Sequence, residues 1–129
     1  MEINEERVGL LLDALRSGEY CQTKGKMKRD DCYCAMGVAC ELFHRAHEGQ
    51  GVGFWDGDVF MCQLSEYADD VRKYEFGPPS AVLQWFGIGD NIHDPALYND
   101  MMVMNDNEHL DFPTIADRVE GIIKEGKAV

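Results

Sequence analysis

Four cysteines and two histidines crowd one stretch of this chain: Cys21, Cys32, Cys34, Cys40, His44 and His47. Thiolates and imidazoles are the ligands that zinc gathers into a tetrahedron, and a small domain with a modest core gains stability from such a site. Cys21, Cys32, Cys34 and His44 are the metal candidates. Their spacing argues against the site. Cys32 and Cys34 stand closer together than a usual zinc pair, and no second compact pair faces them. Cys34 and Cys40 lie nearly two helical turns apart and point to different sectors of a helix. Cysteine also packs as a small apolar group, which is the preferred reading, so no cofactor is expected. As nucleophiles these thiols would need Lys24 to Arg29, or a histidine, to lower their pKa. No local signature of a cysteine hydrolase accompanies them, and no catalytic residue is assigned.

The carboxylates offer two further chemistries. Asp90, Asn91 and Asp94, and again Asn105, Asp106 and Asn107, resemble fragments of a calcium loop. Neither has the twelve-residue order with its central glycine and closing glutamate, and Asx turns or helix caps account for both. Asp56-Gly57-Asp58 reads as turn chemistry. The segment Asp111 to Asp117 resembles the first helix of a helix-turn-helix, but too little chain follows to supply a recognition helix. No glycine-rich phosphate loop is present.

Charge narrows the partners. The 129 residues carry 24 acids against 12 bases, a formal charge of −12. Residues 49–111 hold twelve acids and two bases, and so nearly all of the excess. Phosphates repel such a chain, so neither direct nucleic-acid binding nor attachment to an anionic membrane is expected. No apolar run approaches the roughly 18–20 residues of a membrane span. Met1 to Glu6 has neither the basic start nor the apolar stretch of a secretory signal. Five cysteines, an odd number, fit a reducing cytoplasm better than a disulfide framework.

The elements that must position these groups follow from periodicity. No repeat or linker interrupts the chain, so residues 1–129 read as one globular domain. Asn4 caps a first helix with Val8, Leu11, Leu12 and Leu15 as its apolar stripe, and Gly18 ends it. Residues 19–31 read as a loop or short irregular hairpin. A second helix spans about Cys34 to His47, its buried side marked by Ala35, Val38, Ala39 and Leu42. Val52 to Met61 predicts a hairpin turning at Asp56-Gly57 in a type I′ turn. Leu64 to Glu75 suits a short helix or a loop. Pro79 opens a helix over Ser80–Phe86 that ends at Gly87, with Trp85 read as core. Asp94 starts a helix reaching about Met104, and the last helix begins near Asp111 with Ile115, Ala116, Val119, Ile122 and Ile123 inward. The class is mostly α (α+β): four or five short helices around a small β-hairpin.

Three segments resemble a known family. The first joins Ala14-Leu15-Arg16-Ser17-Gly18-Glu19-Tyr20 with Gln22 to Tyr33-Cys34-Ala35-Met36-Gly37-Val38-Ala39-Cys40-Glu41-Leu42, the second is Pro79 to Gly87, and the third is Met104-Asn105-Asp106 with Phe112 and Ile115-Ala116-Asp117. The family comprises small proteins encoded by tailed bacteriophages and some bacteria. This chain has Ala35 where the family often has a second cysteine, which weakens any ligand role built on a cysteine pair there. The resemblance implies context rather than chemistry: a phage accessory protein in the cytoplasm of a bacterial host.

Two functions follow. In the first, the central acids form a surface that engages and inhibits a basic, nucleic-acid-handling host or defence protein, presenting carboxylates where DNA would place phosphates. Trp55, Asp56, Asp58, Glu66, Asp69 and Asp70 are its contact residues. In the second, Lys24, Lys26, Lys28 and Arg29 hold the phosphates of a sequestered nucleotide signal while Tyr20, Tyr33 or Trp55 stacks its base. A zinc-stabilised interaction domain is a third reading, and the aromatics also suit a homodimer.

Overall fold

A computed structural model describes residues 3–63, 71–89 and 97–127. Helix α1 spans Glu5–Arg16; Asn4 Oδ1 accepts the Arg7 N–H at 3.0 Å, and Val8, Leu11, Leu12 and Leu15 are buried. Gly18, with φ +77°, turns the chain out of the helix. Helix α2 spans Ala35–Ala46, capped by Cys34, whose Sγ accepts the Gly37 N–H at 3.4 Å. Every residue from Ala35 to Cys40 is buried, as expected for a helix wrapped on all sides. Cys34 and Cys40 are therefore both buried even though they point to different sectors. Phe43, rather than Leu42, continues the core.

Between these helices the short hairpin expected as one alternative for residues 19–31 forms, and a further strand extends it to a small sheet. Its strands are β1 (Cys21–Gln22), β2 (Lys28–Arg29) and β3 (Cys32–Tyr33), ordered β1-β3-β2, with β1 parallel and β2 antiparallel to β3. The parallel register sets Cys21 opposite Cys32, and the two are joined in a disulfide. One disulfide thus forms although the odd count fits a reducing cytoplasm better than a disulfide framework, and Cys34, Cys40 and Cys62 remain thiols. An odd count excludes pairing of all five cysteines but not of two, and only the folded loop sets these two face to face. Closing a loop of this size removes about 3 kcal/mol of chain entropy from the unfolded state. Met27 anchors the loop's centre at 0% exposure, its carbonyl accepting the Cys34 N–H at 2.9 Å. That carbonyl lies so close to Gly37 that a Cβ there would collide with it.

The second sheet is antiparallel throughout: β4 (Gly53–Asp56), β5 (Val59–Gln63) and β6 (Val71–Tyr74), in that order. The predicted hairpin forms, but Asp56 pairs with Val59, so the turn residues are Gly57 and Asp58. Gly57 alone has a positive φ, +61°, which is the glycine-first pattern of a type II′ turn rather than type I′. Residues 71–74 form a strand where a helix or loop was expected. Tyr74 stands opposite the fully buried Phe60, and pairing with β5 decides a segment whose own pattern is indifferent.

Helix α3 (Ser80–Phe86) ends at Gly87 in the left-handed conformation, as read. Trp85 is half-buried rather than core; the Arg7 guanidinium lies over its ring at 4.5 Å. Helix α4 (Leu97–Asp106) runs past Met104, while its expected cap Asp94 lies outside the described residues. Helix α5 (Phe112–Lys127) starts where Asp111 accepts the Thr114 N–H at 3.0 Å, and buries Ile115, Ala116 and Val119. The class is α+β: five helices and two three-stranded sheets share one hydrophobic core among the described residues. No described helix is long and apolar enough to cross a membrane.

Candidate binding surface

Two neighbouring sheets bring three half-buried aromatic rings into a row. Tyr20 precedes β1, Tyr33 lies on β3 and Trp55 on β4. Tyr20 and Tyr33 meet edge to face at 5.6 Å, Tyr33 and Trp55 at 5.8 Å, and Trp55 rests on buried Phe60 at 4.9 Å. Edge-to-face contacts at these separations are favourable and hold the rings at fixed angles. Burial pushes the phenols of Tyr20 and Tyr33 above their ordinary range, so both are neutral donors at pH 7.

Charged groups of both signs border the row. Lys28 Nζ lies 5.3 Å from the centre of the Trp55 ring and 5.8 Å from that of Tyr33; the Arg45 guanidinium lies 5.7 Å from that of Tyr20. Glu41 of α2 accepts the Trp55 indole N–H and the Arg45 Nε–H, each at 3.2 Å. At the hairpin tip Asp58 accepts the Asp30 backbone N–H at 3.3 Å, so the turn between β2 and β3 abuts the turn between β4 and β5. Asp30, Asp31, Asp56 and Asp58 thereby gather at two adjoining turns, with Arg29 on β2 as the nearby exposed base. Asp30 holds a positive φ of 53°, a conformation aspartate tolerates better than most residues.

Of the expected contact residues, Trp55, Asp56 and Asp58 belong to this surface, whereas Glu66, Asp69 and Asp70 lie outside the described residues. Seven central acids are described, and four of them are engaged. Asp58 holds Asp30, Glu75 pairs with Lys26 at 2.8 Å, Asp106 accepts the Gly25 N–H, and Asp111 caps α5. Sequence reasoning missed Asp30, Glu41 and Arg45. The Glu41–Arg45 spacing of four on a helix was a usable signal. The proximity of Asp30 to Asp58 has no counterpart in the sequence.

The basic group proposed to hold phosphates is divided. Lys24 Nζ donates to His109 Nδ1 at 2.6 Å, Lys26 pairs with Glu75, Lys28 covers the aromatic faces, and Arg29 is exposed on β2. The metal candidates are likewise occupied singly. Cys21 and Cys32 are bonded to each other, Cys34 caps α2, and His44 Nδ1–H donates to the Gly53 carbonyl at 2.7 Å. Burial raises the Cys34 and Cys62 thiols to about 11 and pushes Cys40 well above its ordinary value, so all three are protonated at pH 7. Among the described residues no group of three or more metal-ligating side chains forms.

A second polar centre lies beneath the first sheet. Asn105, 1% exposed, accepts from Gln22 Nε2 at 2.9 Å and from the Ala35 N–H at 3.3 Å. Its amide donates to the Thr23 carbonyl at 2.9 Å and to Asp106 Oδ1 at 2.8 Å. Gln22 also donates to the Leu110 carbonyl at 2.8 Å. One buried amide thus ties β1, the start of α2 and the end of α4. No described buried side-chain nitrogen or oxygen lacks a partner, so this centre is fully used in holding the fold.

No curated protein and no solved structure matches the chain. Residues 3–124 match the profile of one family, a domain of unknown function designated DUF8296, and the chain belongs to that family.

Proposed function

We propose that this is a non-enzymatic binding protein of the phage accessory kind, acting in the cytoplasm of a bacterial host by occupying a basic surface of a nucleic-acid-handling host or defence protein. The aromatic row beside the paired acidic turns is the observation that carries this reading. Tyr, Trp and Arg are the residue types that dominate interface energetics, and Tyr20, Tyr33 and Trp55 stand together half-exposed with Arg45 exposed beside them. Asp30, Asp31, Asp56 and Asp58 flank them and add the sign that a basic partner needs. The net charge of −12 steers such a partner from a distance. The nucleotide-sponge alternative has less support, because Lys24 and Lys26 are engaged elsewhere and Lys28 already covers the ring faces a base would stack on.

Affinity capture from bacterial lysate tests it, using the full chain, Trp55→Ala and the double variant Asp56→Asn/Asp58→Asn as baits at low and high salt. Basic proteins should be retained by the wild type, released at high salt, and lost about tenfold or more with Trp55→Ala. Capture that ignores salt, or equal capture by Trp55→Ala, refutes the reading.

A further inference from the structure

The disulfide sits within the frame of the aromatic row. Cys21 follows Tyr20, Cys32 precedes Tyr33, and the bond closes across β1 and β3. Apart from that bond the two strands share a ladder of only two residue pairs, continued by the Thr23 N–H to the Tyr33 carbonyl at 2.8 Å. So short a ladder is marginal by itself; hydrogen bonds of Asn105 with Gln22 and Thr23 hold its far end, and the disulfide holds the end beside Tyr20. Cys21 is exposed and Cys32 half-buried, so a thiolate from solution can reach the bond. Cys34, Cys40 and Cys62 are buried and protonated, and do not compete as nucleophiles. The rest of the loop is anchored independently: Met27 is fully buried, its N–H donates to the Glu75 carbonyl at 3.0 Å, and the Gly25 N–H is held by Asp106.

We propose that the Cys21–Cys32 bond is a redox clamp on the aromatic row, opened by a dithiol reductant of the class that keeps a cytoplasm reducing, and that opening frees Tyr20 from Tyr33 while the core stays folded. As regulation of the binding surface, this rests on the reading given under Proposed function. The chemistry is thiol–disulfide exchange. A reductant thiolate attacks Cys21 Sγ, forming a mixed disulfide; the Cys21–Cys32 bond breaks, and Cys32 leaves as a thiolate and takes up a proton. The second reductant thiol, deprotonated, attacks its own sulfur partner in the mixed disulfide. Cys21 then leaves and is protonated in turn. The protein pair gains two electrons and two protons, and the reductant ends as its own disulfide; exchange with that oxidised form closes the clamp.

The test uses the purified full chain with dithiothreitol and its oxidised form, and needs no partner. Intact mass should report a gain of two hydrogens on reduction. The Thr23 amide should exchange about tenfold faster or more, and the tyrosine ring resonances should shift reversibly, while the amides of α1, α2 and α5 remain strongly protected. The double variant Cys21→Ser/Cys32→Ser should match the reduced protein and ignore dithiothreitol; if it does not fold, the reversible titration of the wild type decides. An unchanged Thr23 amide and unchanged rings in the reduced protein overturn the clamp, as does global loss of helix protection, which would make the bond a structural staple. A row that answers to dithiothreitol while no basic partner is captured refutes the binding reading alone. Salt-sensitive capture with a row indifferent to reduction refutes the clamp alone.

Discussion

The Asn105 centre and the Trp55 row use similar numbers of polar contacts to opposite ends. Around Asn105 every donor and acceptor is matched inside the molecule, the amide is 1% exposed, and the partners come from two distant segments and its own helix. Around Trp55 the rings are half-buried: Lys28 and Arg45 lie over ring faces and Glu41 holds the indole N–H, yet part of each ring stays exposed. A saturated buried network has nothing left to offer a ligand, and the penalty for disturbing it falls on stability. A half-exposed aromatic set keeps apolar area for a partner at little conformational cost. Burial and saturation together, more than residue type, separate the residues that build this protein from those available for contact.

Removing the Asn105 amide attacks the comparison at its strongest point. Asn105→Leu leaves the Ala35 N–H, the Thr23 carbonyl and Gln22 without their buried partner, and should cost about 3 kcal/mol in denaturant unfolding. A loss below about 1 kcal/mol would show that the centre is not the anchor its geometry implies. Trp55→Ala should cost about 1–2 kcal/mol, since only part of the ring is buried, with partner capture falling far more than stability. The reverse pattern would make Trp55 a core residue.

Thiol titration sharpens the contrast further. Cys34, beside the Asn105 centre, has its thiol raised from 9.0 to about 11 by burial, so the native state holds a proton that the unfolded chain releases first. Stability therefore declines as pH rises from about 9 towards about 11, and native Cys34 should resist alkylation at pH 8 while unfolded protein reacts. Rapid native labelling of Cys34 would contradict its burial. The smallest effect belongs to Asp111, whose carboxylate is held below its ordinary range by the Thr114 hydroxyl and N–H. Its contribution to α5 is present above the ordinary carboxylate pKa and fades as pH falls through the lowered value. Asp111→Asn should keep the cap yet flatten the acid limb of the pH–stability curve, measured by thermal unfolding between pH 2 and 5.

Much of the helical frame is legible in the residues alone, because capping and periodicity are local. Asn4, Cys34, Gly87 and Asp111 mark boundaries that hold. The misreadings share one cause: their outcome depends on distant partners. Val71–Tyr74 becomes a strand because β5 offers it a ladder, and the turn moves one residue because Asp56 pairs with Val59. The candidate surface is only partly legible. Trp55, Asp56 and Asp58 lie close together in the chain, but Tyr20, Asp30 and Glu41 reach them through packing.

The order of residues determined where helices start and stop, the negative charge and its concentration in residues 49–111, and the apolar stripes that become the core. Each depends on neighbours within a turn or two, or on a simple count. Tertiary structure alone decided that Cys21 meets Cys32, that Asn105 joins three segments, and that two acidic turns abut beside an aromatic row. Those are contacts between groups far apart along the chain, and they exist only once packing around α2 has brought their backbones together.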